Sequence, residues 1–232
     1  MIKKKKNLTA KMLLLICVTA ISGFGAMSLI NNSSAQDVTS QPMVAHVAPT
    51  PNFQGLLQDL QRRFPSYSTQ QVLLVDATGQ EMLLIEQGQV TARWVISTAS
   101  AGLGSRKGSD QTPLGVHRIA EKFGEGAPLG TVFKARKNTG RIARILTEPG
   151  ARSGEDNVTT RILWLDGLEV GLNKGGDVDS RSRYIYIHGT DEEGRLGAPA
   201  SHGCIRMRNQ DVVNLFSRVG VDTLVVIAQR KT

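Results

Sequence analysis

From Gln71 onward the chain is built from short apolar runs, each cut off by a turn signal, and that punctuation limits what it can fold into. Val72–Asp76 and Glu81–Glu86 flank Ala77-Thr78-Gly79-Gln80, and Gln87-Gly88-Gln89 leads into Val90–Thr98. Ile162–Leu165, Tyr184–Ile187 and Thr223–Ala228 repeat the pattern. Runs of this length, rich in Val, Ile and Leu and bounded by Gly and polar residues, are strands, and the first two read as a hairpin. Helical spacing occurs in two places. Phe53, Leu56, Leu57, Leu60 and Phe64 predict a short amphipathic helix over Asn52–Phe64, with Asn52 as its cap and Pro65 as its stop. Late in the chain, Val212, Val213, Leu215, Phe216 and Val219 form a second stripe, with Asn209 as the expected cap and Asp211 at the positive end. The expected fold is mostly β with few helices, over residues 66–232. Phe123–Asn157 is rich in Gly and Arg and lacks strong periodicity. It reads as a long irregular segment, either a lid or binding loop or a solvated insertion.

The start of the chain has a different character. Lys3–Lys6 precede an apolar stretch over Met12–Ile21, and Ser33 and Ala35 put small residues before Gln36, so residues 1–35 read as an export signal. The alternative is an uncleaved membrane anchor, because apolar and small residues continue to Ile30. Either way the bulk of the chain is expected outside the cytoplasm, in the periplasm or cell envelope, touching membrane only through this segment. Bulky Ile16 before Cys17 argues against a lipoprotein site. Residues 36–65 read as a Pro-bearing linker followed by the short helix. The net charge is +8, but five lysines and no acid fall within residues 1–35, so the remainder carries only +3. With scarce aromatics and no basic stripe interleaved with them, nucleic-acid binding is not supported.

Removing residues 1–35 leaves Cys204 as the one cysteine of the exported portion. Disulfide-bonded exported proteins normally carry an even number, and a lone thiol there is open to oxidation. A free cysteine is most often a small buried hydrophobe. The neighbours of Cys204 argue otherwise: two of the chain's four histidines, His188 and His202, lie in the same short segment. Tyr184–Ile187 runs into His188-Gly189, which predicts the imidazole at a strand's mouth, and Asp191–Ala200 connects this to Ser201-His202-Gly203-Cys204-Ile205-Arg206. A nucleophilic cysteine reacts as its thiolate and needs a nearby base, for which histidine is suited near neutrality. The same three side chains, His188, His202 and Cys204, are also an alternative zinc set. In the nucleophile reading Cys204 attacks and His188 is its base. Because Gly189 follows His188, any orienting partner at that position must be a backbone carbonyl. The N–H groups of Gly203 and Cys204 are candidates for an oxyanion hole. His202 either donates toward substrate or holds the loop. Ser201 and Arg206 are the expected substrate contacts. The Arg206 fork suits a carboxylate, with a salt bridge to Asp191, Glu192 or another acid as the alternative.

His188-Gly189, sixteen positions before Cys204, followed by Ser201-His202-Gly203-Cys204-Ile205-Arg206-Met207, resembles the signature of the L,D-transpeptidase (YkuD-like) catalytic domain. Thr112-Pro113-Leu114-Gly115 resembles a segment that precedes it in that family. The resemblance covers roughly Val72–Ala228. It implies a β-sandwich-like, mixed-sheet domain with a cleft over Cys204; no cofactor or metal is expected. It also implies a peptidoglycan stem peptide as substrate, cut between the third, diamino-acid residue and a terminal D-alanine. The thioester on Cys204 would pass to an amine, on another stem or a wall-anchored protein. An L,D-carboxypeptidase, with water as acceptor, and a catalytically silent wall-binding module are the competing readings, and binding alone needs no thiol.

Overall fold

The two runs around Ala77–Gln80 form the expected antiparallel hairpin, β1 (Gln71–Asp76) and β2 (Glu81–Glu86). The structure is a computed structural model describing residues 52–230; the export signal and the linker up to Pro51 lie outside the described residues. Helix α1 (Gln54–Arg63) comes first, and β3 (Gln89–Ser97), β4 (Gly115–Phe123), β5 (Thr131–Lys134), β6 (Lys137–Ile142) and β7 (Val158–Gly167) follow the hairpin. The chain then forms β8 (Tyr186–Thr190), β9 (Ile205–Met207), α2 (Asn209–Arg218) and β10 (Leu224–Ala228). The strands make one mixed sheet in the order β4-β10-β1-β2-β3-β9-β8-β7-β5-β6, and an extra β4–β7 pairing closes eight of them into a ring. The mostly-β, mixed-sheet expectation holds, with one sheet curled on itself supplying both walls.

Every strand of the ring sends side chains into one core. Leu73 and Val75, Met82 and Leu84, Trp94 and Ile96, Ile119, Leu163 and Leu165, Ile187, Ile205 and Met207, and Val225 and Ile227 meet there. Val212, Leu215 and Phe216 of α2 complete it. On the outer face α1 lays Leu60 against Val72, Val116, Leu224 and Val226, with Leu56, Leu57 and Phe64 around it. Strands β1 and β10 are therefore covered on both faces, which is why they read as continuous apolar runs instead of alternating ones. Asn52 does serve the start of α1, its Oδ1 accepting the Gln54 N–H at 2.9 Å.

Several expectations need correction. Strands β4, β6 and β9 carried no signal read from the sequence: β4 is interrupted by His117, Arg118, Glu121 and Lys122, and all of β6 is exposed. Phe123–Asn157 is not wholly irregular, since it contains the β5–β6 hairpin, attached to β7. The hairpin's two-residue turn, Ala135-Arg136, has positive φ at both positions (47° and 67°), the geometry that matches strand twist. Asn209 is not a cap but the first residue of α2, with its side chain buried. Its Nδ2 donates to the Thr190 carbonyl and to Glu193 Oε1, both at 2.7 Å, while Thr159 and Thr160 hydroxyls donate to its Oδ1.

Candidate active site

Strands β8 and β9 run parallel, with Ile187 opposite Ile205, His188 opposite Arg206 and Gly189 opposite Met207. Ile187, Ile205 and Met207 face the core, so strand alternation turns Tyr186, His188, Cys204 and Arg206 to the opposite face together. This juxtaposition builds the site. It also corrects the sequence reading in two ways. The strand begins at Tyr186, because Tyr184 adopts φ 57°, and it continues through Gly189 to Thr190. His188 thus sits mid-strand, and it is Cys204, just ahead of β9, that lies at a strand's mouth. Gly189 is required by space rather than by backbone twist: a Cβ there would lie 2.6 Å from Asn209 Oδ1 and 2.9 Å from the Thr159 carbonyl.

The expected backbone partner of His188 is present. Nδ1 lies 2.7 Å from the Gly189 carbonyl, so Nδ1 carries the proton and Nε2 is left as the basic nitrogen. His188 is 2% exposed, and burial pulls its pKa down to about 4 against the raising effects of the Gly189 carbonyl and Asp156. Cys204 is the free cysteine among the described residues. Its Sγ receives the Tyr186 N–H at 3.4 Å and its thiol faces the Tyr184 carbonyl at 3.5 Å. Burial pushes the thiol up to about 11; the Tyr186 N–H, Arg206 and Arg183 pull the other way and Asp156 adds to the rise. Near neutrality the resting pair is therefore thiol and neutral imidazole. Among the described residues no hydrogen bond joins His188 to Cys204.

The turn before Cys204 is held from within. Gly203 has φ 122°, a region side chains avoid, and its carbonyl accepts the Thr112 hydroxyl at 3.0 Å. Thr112 in turn accepts the Ala99 N–H at 2.9 Å, which gives the Thr112–Gly115 segment a structural role at the site. Ser201 is buried, donating to the Cys204 carbonyl at 2.6 Å and accepting the Gly203 N–H at 3.2 Å. Ser201 is thus a clamp on the turn, not the expected substrate contact. The same bond occupies one of the two candidate oxyanion donors, leaving the Cys204 N–H without a hydrogen bond among the described residues. His202 is 65% exposed at its side chain, with Nδ1 2.5 Å from Asp156 Oδ2. His188, His202 and Cys204 do not converge as metal ligands: no cluster of three or more His, Cys, Asp or Glu side chains among the described residues could hold a metal ion.

Arg206 is the largest correction. Its side chain is 1% exposed, bound to Asp156 through Nη2 and to Glu192 Oε2 at 3.1 Å through Nη1. The fork is filled by protein carboxylates, the salt-bridge alternative, and is not open to a substrate. Asp156 escaped the sequence reading because it lies in the Phe123–Asn157 segment, 48 positions before Cys204, with no motif around it. Through it that segment reaches both Arg206 and His202. Arg206→Ala should leave Asp156 with His202 and Glu192 with Arg195 as their remaining partners, and the fold should lose about 1–3 kcal/mol, the usual cost of removing one partner from a buried polar group. Urea unfolding measures this, and a loss below ~1 kcal/mol would show the ion pairs to be solvated.

The pattern of the L,D-transpeptidase catalytic domain (YkuD) matches residues 70–227, well over half of the chain. The chain belongs to this family. Curated relatives match over shorter stretches. The putative L,D-transpeptidase YqjB of Bacillus subtilis is 46% identical over 54 residues, 23% of this chain and 31% of that protein. The probable L,D-transpeptidase YbiS of Escherichia coli is 46% identical over 43 residues, 18% of this chain and 14% of that protein. The chain thus spans less than a third of the length of either relative. Among solved structures, the L,D-transpeptidase from Mycobacterium smegmatis is similar at 16% identity and TM-score 0.40, covering 68% of this chain and 58% of that one. The L,D-transpeptidase from Xylanimonas cellulosilytica is similar at 18% identity and TM-score 0.39, covering 68% and 60%.

In this L,D-transpeptidase domain the β5–β6 hairpin flanks the thiol. Phe133 of β5 packs with Ile162, Tyr186 and Cys204 in a small cluster on the outer face. The Arg136 guanidinium lies 4.3 Å from the centre of the Trp164 ring and donates to the Tyr186 hydroxyl at 2.9 Å. Trp164 stacks on Tyr184, which is 54% exposed, and meets Tyr186 edge-on. The hairpin tip therefore rests on an aromatic wall beside Cys204. Sequence reasoning missed Tyr186 and Arg136, whose only signal was the local density of aromatic and arginine residues.

Proposed function

We propose that this chain is a peptidoglycan L,D-transpeptidase working outside the cytoplasm. The observation that carries the reading is Cys204 just ahead of β9, turned to the same face as a buried His188 whose Nδ1 is fixed by the Gly189 carbonyl. The thiol turns from the Tyr184 carbonyl toward His188 Nε2 and attacks the carbonyl carbon between the diamino acid and the terminal D-alanine. A C–S bond forms as the thiol proton passes to Nε2, and the Cys204 N–H faces the developing oxyanion. The C–N bond breaks, His188 returns the proton to the leaving amine, and D-alanine departs. An acceptor amine on a second stem or a wall-anchored protein then attacks the thioester, with His188 taking its proton, and the thiol is regenerated. The hairpin over Tyr186 and Trp164 favours the amine by shielding the thioester from water. Incubation with tetrapeptide muropeptides, followed by mass spectrometry, tests this. D-alanine release with cross-linked products is expected; tripeptide alone would assign the carboxypeptidase reaction, and unchanged muropeptide would reject both.

A further inference from the structure

With the Arg206 fork filled, the substrate carboxylate needs another receptor. The cations around the site are mostly committed. Arg206 is held by Asp156 and Glu192, Arg195 by Glu192, and Arg181 by Glu121, while Arg136 is spent on Tyr186 and the aromatic rings. Arg183 is different. It is partly buried and makes no ion pair among the described residues. Its guanidinium donates only to two backbone carbonyls, Gln111 at 2.7 Å and Gly104 at 3.4 Å. A half-buried cation normally finds a carboxylate. With five N–H groups on a guanidinium, those two bonds leave further donors free.

Arg183 is also tied to the reacting sulfur from two directions. The carbonyl of the next residue, Tyr184, is the one 3.5 Å from Cys204 Sγ. The Gln111 carbonyl that holds the guanidinium lies 3.3 Å from where a Cβ on Gly203 would stand, against the turn that presents Cys204. The charges sense each other: Arg183 draws the thiol pKa down, and against the burial that lowers the pKa of Arg183 itself act a Cys204 thiolate and Asp110, which is not within ion-pair distance.

We infer that Arg183 receives the free carboxylate of the residue that leaves on thiol attack, so that the donor is selected as a peptide acid. This deepens the transpeptidase reading and rests on it. The fork anchors the leaving residue on the Tyr184 side of the sulfur and holds the scissile carbonyl over Cys204, which makes Arg183 a specificity residue rather than part of the proton path.

The test compares a tetrapeptide stem ending in D-alanine with its C-terminal carboxamide, in wild type, Arg183→Gln and Arg183→Lys. Wild type should prefer the acid. In Arg183→Gln, kcat/KM for the acid should fall about tenfold or more, as expected for loss of a hydrogen bond to a charged group, while the carboxamide is cleaved at the wild-type rate. Arg183→Lys, keeping charge without the planar fork, should restore part of the preference. Iodoacetamide labelling of Cys204 at unchanged rate in Arg183→Lys, which keeps the charge the thiol senses, verifies that the turn is intact. If both substrates slow together, Arg183 only braces the Gly104–Gln111 loop and the inference is overturned, as it is if the acid-to-amide ratio does not move. Absence of any thioester on wild-type Cys204 would instead reject the parent reading.

Discussion

Cys204→Ala leaves the fold unchanged and eliminates thioester formation and D-alanine release altogether. The substitution removes one sulfur from a partly exposed position beside Phe133 and Tyr186, so thermal stability should move little. No other described cysteine can replace the nucleophile. Cys204→Ser should be nearly as inert. A thiol already pushed up to about 11 depends on His188 for its activation, and a hydroxyl is several units less acidic still. A carbapenem-type β-lactam offers a direct readout, because its strained amide carbonyl takes the same attack. Intact-mass analysis should show one adduct on wild type and none on the alanine variant. An adduct that survives Cys204→Ala, or D-alanine release above a few per cent of wild type, would place the reactive group elsewhere and end the covalent reading.

What the sequence disclosed and what it hid divide along physical lines. The hairpin at Ala77–Gln80, the closing strand Leu224–Ala228 and both helices were legible because their apolar spacing records which faces are buried. His188 and Cys204 were legible because chemistry concentrates rare residue types. The partners that set their environment were not. Glu192 was among the acids weighed for Arg206, but Asp156 joins it in the fork from a loop that nothing in its own neighbourhood marks. The sequence offered Ser201 and Arg206 as substrate contacts because their types suit that work, and only the fold shows their polar atoms already spent on the protein. Strand β4 stayed hidden because His117 sits fully buried within it, its Nε2 2.9 Å from the Ser180 hydroxyl, and so interrupts the apolar pattern. The β6 edge strand has no buried residue to give it a pattern. Local sequence thus reports burial and residue chemistry, while long-range pairing decides which polar groups remain free.

Replacing His188 should change the shape of the pH profile and not merely its height. In the wild type, burial holds the imidazole neutral down to about 4 and the thiol protonated up to about 11. The reactive form, neutral imidazole beside neutral thiol, is then the dominant one between those values, and acylation should be nearly flat across that window. It should fall on the acid side as His188 gains its proton. Without His188, attack needs thiolate generated by solvent base, whose fraction rises tenfold per pH unit below the thiol pKa. His188→Ala should therefore acylate about 100- to 10,000-fold more slowly at neutral pH, the range general-base catalysis supplies. The gap should close steadily as the pH approaches that of the thiol. Single-turnover acylation followed by intact mass from pH 5 to pH 10 separates the possibilities. A slope of one in the variant against a plateau in wild type assigns His188 as the base. Parallel profiles would remove it from the proton path, leaving the Gly189-anchored ring as packing beside Arg206. A wild-type profile that itself climbs with unit slope would mean that the thiol never reaches Nε2 from its place against the Tyr184 carbonyl.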